Sequence, residues 1–175
     1  MTLTVETGSA SASAESFISV TDADTYFSNR GNTTWAALTT AQKEQNLRKA
    51  TDYIEAMYRA RWKGYVKTAT QALAWPRSFV YLEPFVVGAV GSYPYLVADD
   101  IVPTEIKNAC AELAYKSSQA ELAPDLEQGV RSEKIDVIAV EYDTNSLPYK
   151  QYRLVDRMLA RYLTGSGATF DLIAS

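Results

Sequence analysis

The sequence predicts a mainly α-helical fold: a small bundle of about four helices with a long irregular loop or hairpin, one strand segment and extended N- and C-terminal arms. Three observations carry that expectation. Apolar residues recur at helical spacing around residues 47–57, 106–114 and 152–162. A composition of 47% hydrophobic and 22% charged residues in a chain of 175 supports one domain with a real core. Glycine and proline gather between these stretches rather than inside them.

Residues 1–18 read as the N-terminal arm. A short apolar-alternating piece leads into Gly8-Ser9-Ala10-Ser11-Ala12-Ser13-Ala14, which has little to bury and reads as flexible or extended. A helical domain spans 19–164. Its first helix is short, capped by Ser19 or Thr21 with Asp22 or Asp24 in the first turn. Asn29-Arg30-Gly31-Asn32 ends it, with Gly31 suited to a left-handed cap. Thr39 caps the strongest helix, and Gln42 completes a capping-box pattern. Leu47, Ala50, Ile54, Met57 and Arg61 follow at helical spacing, so this helix is expected to run to about Arg61 and stop before Gly64.

Residues 64–102 read as a long packed loop, or a loop carrying a hairpin built on Phe79 to Val90; a loop of that length in a compact domain is usually functional. Pro103 stands where a first helical residue belongs, with Glu105 near the positive end of the dipole. Ile106, Cys110, Leu113 and Ser117 recur at helical spacing, which makes Cys110 a small core residue. Residues 134–142 are rich in β-branched side chains and read as a strand with apolar groups on both faces, in need of a partner within the chain or on a neighbouring subunit. The last helix is expected to start near Pro148 and end at Gly165-Ser166-Gly167. Its apolar stripe is Tyr152, Val155, Leu159 and Tyr162, and its basic stripe is Lys150, Arg153, Arg157 and Arg161. In the tail, 165–175, Phe170, Leu172 and Ile173 have no obvious core to enter. Docking onto another surface and a frayed end both fit them.

The same composition narrows the function. Histidine is absent, which removes the commonest metal ligand and general base. Cys110 is the single cysteine, so no internal disulfide forms, as suits a reducing cytosol or a virion assembled there. No signal peptide, membrane-spanning run, glycine-rich phosphate loop or triad pattern is visible. A non-enzymatic binding or assembly module is therefore expected, with no catalytic residue, metal or cofactor.

Two features remain. Tyr58-Arg59-Ala60-Arg61-Trp62-Lys63-Gly64-Tyr65, with Lys67 beyond, interleaves cations and aromatics in the manner of a single-strand platform, where bases stack on rings and cations hold phosphates. The same run also reads as an ordinary helix end whose cations answer the dipole and whose Trp62 covers the core. The second feature is the basic stripe Lys150, Arg153, Arg157 and Arg161, which could face nucleic acid, an acidic partner or solvent. The net charge of −4 opposes indiscriminate phosphate binding.

Three segments together resemble a known family: Ser16-Phe-Ile-Ser-Val-Thr-Asp-Ala-Asp-Thr-Tyr26 leading into Arg30-Gly31-Asn32; Gln71-Ala-Leu-Ala-Trp-Pro-Arg77; and Val102-Pro-Thr-Glu-Ile-Lys-Asn-Ala-Cys-Ala-Glu-Leu-Ala114. Ala50-Thr-Asp-Tyr-Ile54 and Trp62-Lys-Gly64 lie between them in order. The pattern is similar to tailed-phage and prophage proteins labelled DnaT-like single-stranded-DNA-binding proteins, and to head–tail connector (adaptor) proteins. The connector resemblance implies a structural virion protein: a homo-oligomeric ring, usually of twelve subunits, seated on the portal protein and joined to the next neck or tail component. Genomic double-stranded DNA would pass through without tight binding. It implies assembly in the host cytoplasm, residence in the neck of the virion and no membrane contact. The DnaT-like label implies single-strand binding, for which the cluster Arg59, Arg61, Trp62, Lys63 and Tyr65 is the candidate. The acidic charge, the arms and the two-faced strand favour the connector at this stage.

Overall fold

The computed structural model describes residues 2–81, 95–124, 132–135, 138–141 and 151–164. Among these, helices dominate. Helix α1, Val20–Ser28, is capped by Ser19, whose side chain accepts from the Asp22 N–H at 3.0 Å. Gly31 follows with φ 66°, the left-handed conformation that closes a helix. A single turn, α2 (Thr33–Ala36), was not expected from periodicity. Asn32 caps it, and it exists to bury Trp35.

Helix α3, Thr40–Tyr58, begins at Thr39 with the full capping box: Gln42 Nα donates to Thr39 Oγ1, and Thr39 Nα donates to Gln42 Oε1. It runs on as a 3₁₀ turn, Arg59–Arg61. Helix α4, Thr104–Ser117, starts one residue later than expected, with Pro103 as the cap. Helix α5, Arg153–Leu159, also starts later than Pro148 would place it, and continues as a 3₁₀ turn, Ala160–Tyr162.

The core lies where α4 packs between α3 and α5, with α1 laid against α3 and α4. Leu47, Ala50 and Ile54 meet Ile106, Cys110 and Leu113, and Val155 and Leu159 close the far side; all are fully buried. Burying each large aliphatic side chain contributes about 1.5–3 kcal/mol. The α3 stripe shifts at its end: Met57, expected inside, is exposed, and Tyr58 is buried instead. The reason is polar. The Tyr58 hydroxyl donates to Asp156 of α5 at 2.6 Å, a bond that Met57 could not make. Two similar straps join other helices, Tyr26 to Glu112 at 2.9 Å and Tyr162 to Glu105 at 2.8 Å. Burial and the Glu112 acceptor push the Tyr26 hydroxyl up to about 12, so it stays a donor at neutral pH.

The N-terminal segment, expected as a flexible or extended arm, is held against the rest of the chain. A bridge pairs Val5 with Ser16, and Glu6 is fully buried. The Glu6 carboxylate accepts from the N–H groups of Gly8, Ala10 and Ser11 at 2.7, 3.1 and 2.8 Å. One charged acceptor thus holds a run that has no helix or strand to satisfy it. Gly8 (φ 107°) passes so close to Asp100 that an added Cβ would lie 1.7 Å from its carbonyl oxygen. Phe17 and Ile18 then enter the core.

The expected single strand at 134–142 is instead two. β1 (Ser132–Ile135) pairs antiparallel with β2 (Ile138–Glu141), in register from Ser132↔Glu141 to Ile135↔Ile138. Pairing inside the chain satisfies the backbone groups locally. Most of the hairpin expected on Phe79 to Val90, together with Lys150 and the tail bearing Phe170, Leu172 and Ile173, lies outside the described residues.

Candidate nucleic-acid interface

After the 3₁₀ turn the chain extends through Trp62 and forms a second small ladder. Tyr65–Val66 pairs antiparallel with Arg77–Ser78, Tyr65 opposite Ser78 and Val66 opposite Arg77. Two residues force this shape. Gly64 has φ 67°, and a Cβ there would sit 2.2 Å from the Ser78 carbonyl oxygen. Arg77 is buried, and its guanidinium donates to the carbonyls of Lys63 (2.8 Å), Gly64 (2.7 Å) and Ala74 (3.2 Å). Desolvation, then the nearby Arg59 cation, lowers the Arg77 pKa from its ordinary value. Beside it Glu55 accepts from the Ala74 N–H at 2.7 Å, and burial raises its carboxyl. The Trp75–Pro76 bond in this loop is cis.

This scaffold sorts the expected cluster into inner and outer members. Trp62 is inner: it is 4% exposed and packs edge-to-face on Trp75 at 5.7 Å. Its ring covers the core and is not available to stack on a base. Tyr65 is outer, 73% exposed, and three further exposed rings that the cluster did not include lie in or next to the ladder and the Tyr81–Leu96 bridge. Phe79 is 63% exposed, Tyr95 74%, and Tyr81, bridged to Leu96, 40%. Phe79 holds φ 61°, a left-handed conformation rare for a bulky residue. Such strain persists where surrounding structure imposes it, and it gathers at functional sites. The sequence signal for these rings was the aromatic content of the 64–102 loop; their exposure had no signal.

The cations sort in the same way. Arg59 pairs with Glu55, Lys67 with Asp99 at 3.7 Å, and Arg161 with Glu105 at 3.2 Å. The Lys63 ammonium donates to the Arg161 carbonyl at 2.7 Å. Arg61 and Arg157 differ: among the described residues neither has a carboxylate partner within ion-pair distance. Both line one cavity of about 430 Å³ between α3 and α5. Its buried members are Tyr58, Tyr152 and Leu163, and its exposed ones include Met57 and Gln151. Arg153 is exposed and lies over a separate, smaller hollow beside Lys116.

The two sequence features are therefore one surface. Trp62 bridges Leu163, the Lys63 N–H donates to the Tyr162 carbonyl at 2.9 Å, and the Thr164 N–H donates to the Arg61 carbonyl at 2.7 Å. The segment that leads to the exposed Tyr65 thus starts at the α3 end of a groove lined by two cations. Among the described residues no group of three or more His, Cys, Asp or Glu side chains is placed to hold a metal.

A family model described as "Putative DnaT-like ssDNA binding protein" matches residues 1–175. The chain belongs to this DnaT-like family. The match spans every element of the surface just described, from the α3 terminus to α5. The family description speaks of single-strand binding and not of a head–tail connector. No curated protein and no solved structure matches the chain.

Proposed function

We propose that this DnaT-like chain binds single-stranded DNA, non-enzymatically, along the surface running from the Tyr65 edge to the α3–α5 groove. The observation that carries the reading is the exposure of four rings, Tyr65, Phe79, Tyr81 and Tyr95, on a chain that runs from the α3 end of a groove lined by Arg61 and Arg157, two arginines with no acid partner among the described residues. Rings at a surface offer stacking platforms to any base, and guanidiniums take phosphates. The family match supports the same reading. With a net charge of −4, binding rests on this local patch and weakens steeply with salt. Fluorescence anisotropy with a labelled oligo(dT) at low and moderate salt tests it. Salt-dependent binding is expected; no binding at low ionic strength would sink the reading.

A second reading, the head–tail connector, draws on one observation. Tyr65, Val66, Phe79, Tyr81, Tyr95 and Leu96 form an exposed apolar edge on very short strands, a surface that also suits a neighbouring subunit. In that role the chain forms a ring of about twelve copies on a portal and leaves double-stranded DNA to pass. The mass of the protein alone and mixed with a portal decides it, and a monomer that never joins the portal rules it out.

A further inference from the structure

The groove between α3 and α5 has more chemistry than a phosphate contact needs. Its volume of about 430 Å³ falls in the usual range for a small-ligand pocket. Aromatic side chains lie deep in it: Tyr58 and Tyr152 are buried, and Tyr53 meets Tyr152 edge-to-face at 5.5 Å. The cations come from two elements, Arg61 from the turn after α3 and Arg157 from α5. Asp156, the residue before Arg157, lines the same groove. One of its oxygens accepts from the Tyr58 hydroxyl at 2.6 Å, which fixes the carboxylate in place. Its other oxygen has no hydrogen-bond partner among the described residues.

A sequence-blind phosphate rail would not share its lining with a carboxylate, because the acid cancels half of the charge of its two cations. An oriented acceptor over an aromatic floor serves a base instead. We propose that the groove is a base-selective subsite: one unstacked nucleotide enters it, Arg61 and Arg157 hold the flanking phosphates, and Asp156 selects bases that carry an exocyclic amine. This deepens the single-strand reading and rests on it. A carboxylate is an acceptor only. Cytosine, adenine and guanine each offer it an N–H₂ group, and Asp paired with the cytosine amine is a known mode of readout. The one Watson–Crick donor of thymine, N3–H, lies between two carbonyl oxygens that a carboxylate repels.

Paired titrations of oligo(dC) and oligo(dT) of equal length, at neutral pH and low salt, test this. The wild-type protein should bind oligo(dC) about fivefold more tightly, the worth of one net hydrogen bond. Asp156→Asn keeps an oxygen for Tyr58 but adds an amide donor, and should erase or reverse the preference. Met57→Trp, at the exposed rim, leaves the Tyr58–Asp156 bond untouched and fills the mouth. It should remove the preference, read as the ratio of the two affinities and so independent of any change in overall binding. Equal wild-type affinities for the two oligonucleotides, with binding intact, overturn the subsite and leave the single-strand reading standing. A cytosine preference that survives both substitutions also overturns it. If neither oligonucleotide binds, the single-strand reading falls and the subsite goes with it.

Discussion

The aromatic edge and the α3–α5 groove are built from adjoining residues, yet they solve opposite problems. At the edge, Tyr65, Phe79 and Tyr95 are more than half exposed, and the nearest cations, Lys63 and Lys67, are tied to a carbonyl and to Asp99. In the groove Tyr58 and Tyr152 are buried, and the cations Arg61 and Arg157 are exposed with no acid partner among the described residues. One region therefore offers stacking with little charge, and the other offers charge over a closed floor. Stacking is largely indifferent to ionic strength, whereas counterion release is not. The two contributions to binding separate by salt dependence, and mutation should pull them apart.

The largest effect is expected where the edge is fastened to the core. Gly64→Ala would drive a Cβ to 2.2 Å from the Ser78 carbonyl and hold a non-glycine residue at φ 67°. A loss of about 2–4 kcal/mol in unfolding free energy is expected, read from the denaturant midpoint. Strand binding should weaken with it, because Tyr65 is the next residue. An unchanged midpoint would mean that the ladder is not packed as described.

Next comes the edge itself. Tyr65→Ala with Phe79→Ala removes two stacking surfaces, each worth about 1–3 kcal/mol, so affinity should fall at least tenfold. The slope of log affinity against log salt should not move, since no phosphate contact is lost. A reduced slope would place a backbone phosphate on the edge and blur the distinction between the regions. Arg61→Ala with Arg157→Ala should do the reverse. Losing two phosphate contacts lowers the slope by about 1.4, at roughly 0.7 for each on a single strand. The affinity loss should be several-fold at low salt and fade at moderate salt.

The sequence made the scaffold legible and the surface only half so. Helix starts followed from local chemistry: Ser19 and the Thr39–Gln42 box act within one turn. The α5 stripe also held, since Tyr152, Val155, Leu159 and Tyr162 are all buried. What failed depended on contacts distant in sequence. Met57 and Tyr58 exchanged places because Asp156 lies 98 residues away. The 1–18 segment folded because one buried carboxylate, Glu6, collects three N–H groups, which composition does not reveal. In the candidate site, the types of residue were readable and their accessibility was not. Trp62 and Tyr65 belong to one short run, but the ladder with Arg77 and Ser78 turns one ring inward and leaves the other outside.

The finest test lies within the 3₁₀ turn itself, where Arg59 and Arg61 stand two residues apart. Sequence gives no reason to rank them. The structure does: Arg59 is ion-paired with Glu55 four residues earlier, and Arg61 has no acid partner among the described residues. A paired guanidinium presents little net charge to a phosphate, and taking it away unmasks a carboxylate. That carboxylate stays held, since Glu55 also accepts from the Ala74 N–H, and burial already favours its neutral form. Arg59→Ala should therefore cost about 1 kcal/mol in stability, the upper end for a surface pair, because the Glu55 side of the pair is largely buried. It should change strand affinity less than about twofold, with a slope change smaller than the roughly 0.7 expected for Arg61→Ala. Equal losses for the two substitutions would show that the strand runs over the outer face of the turn, and that the groove is not where the phosphates lie.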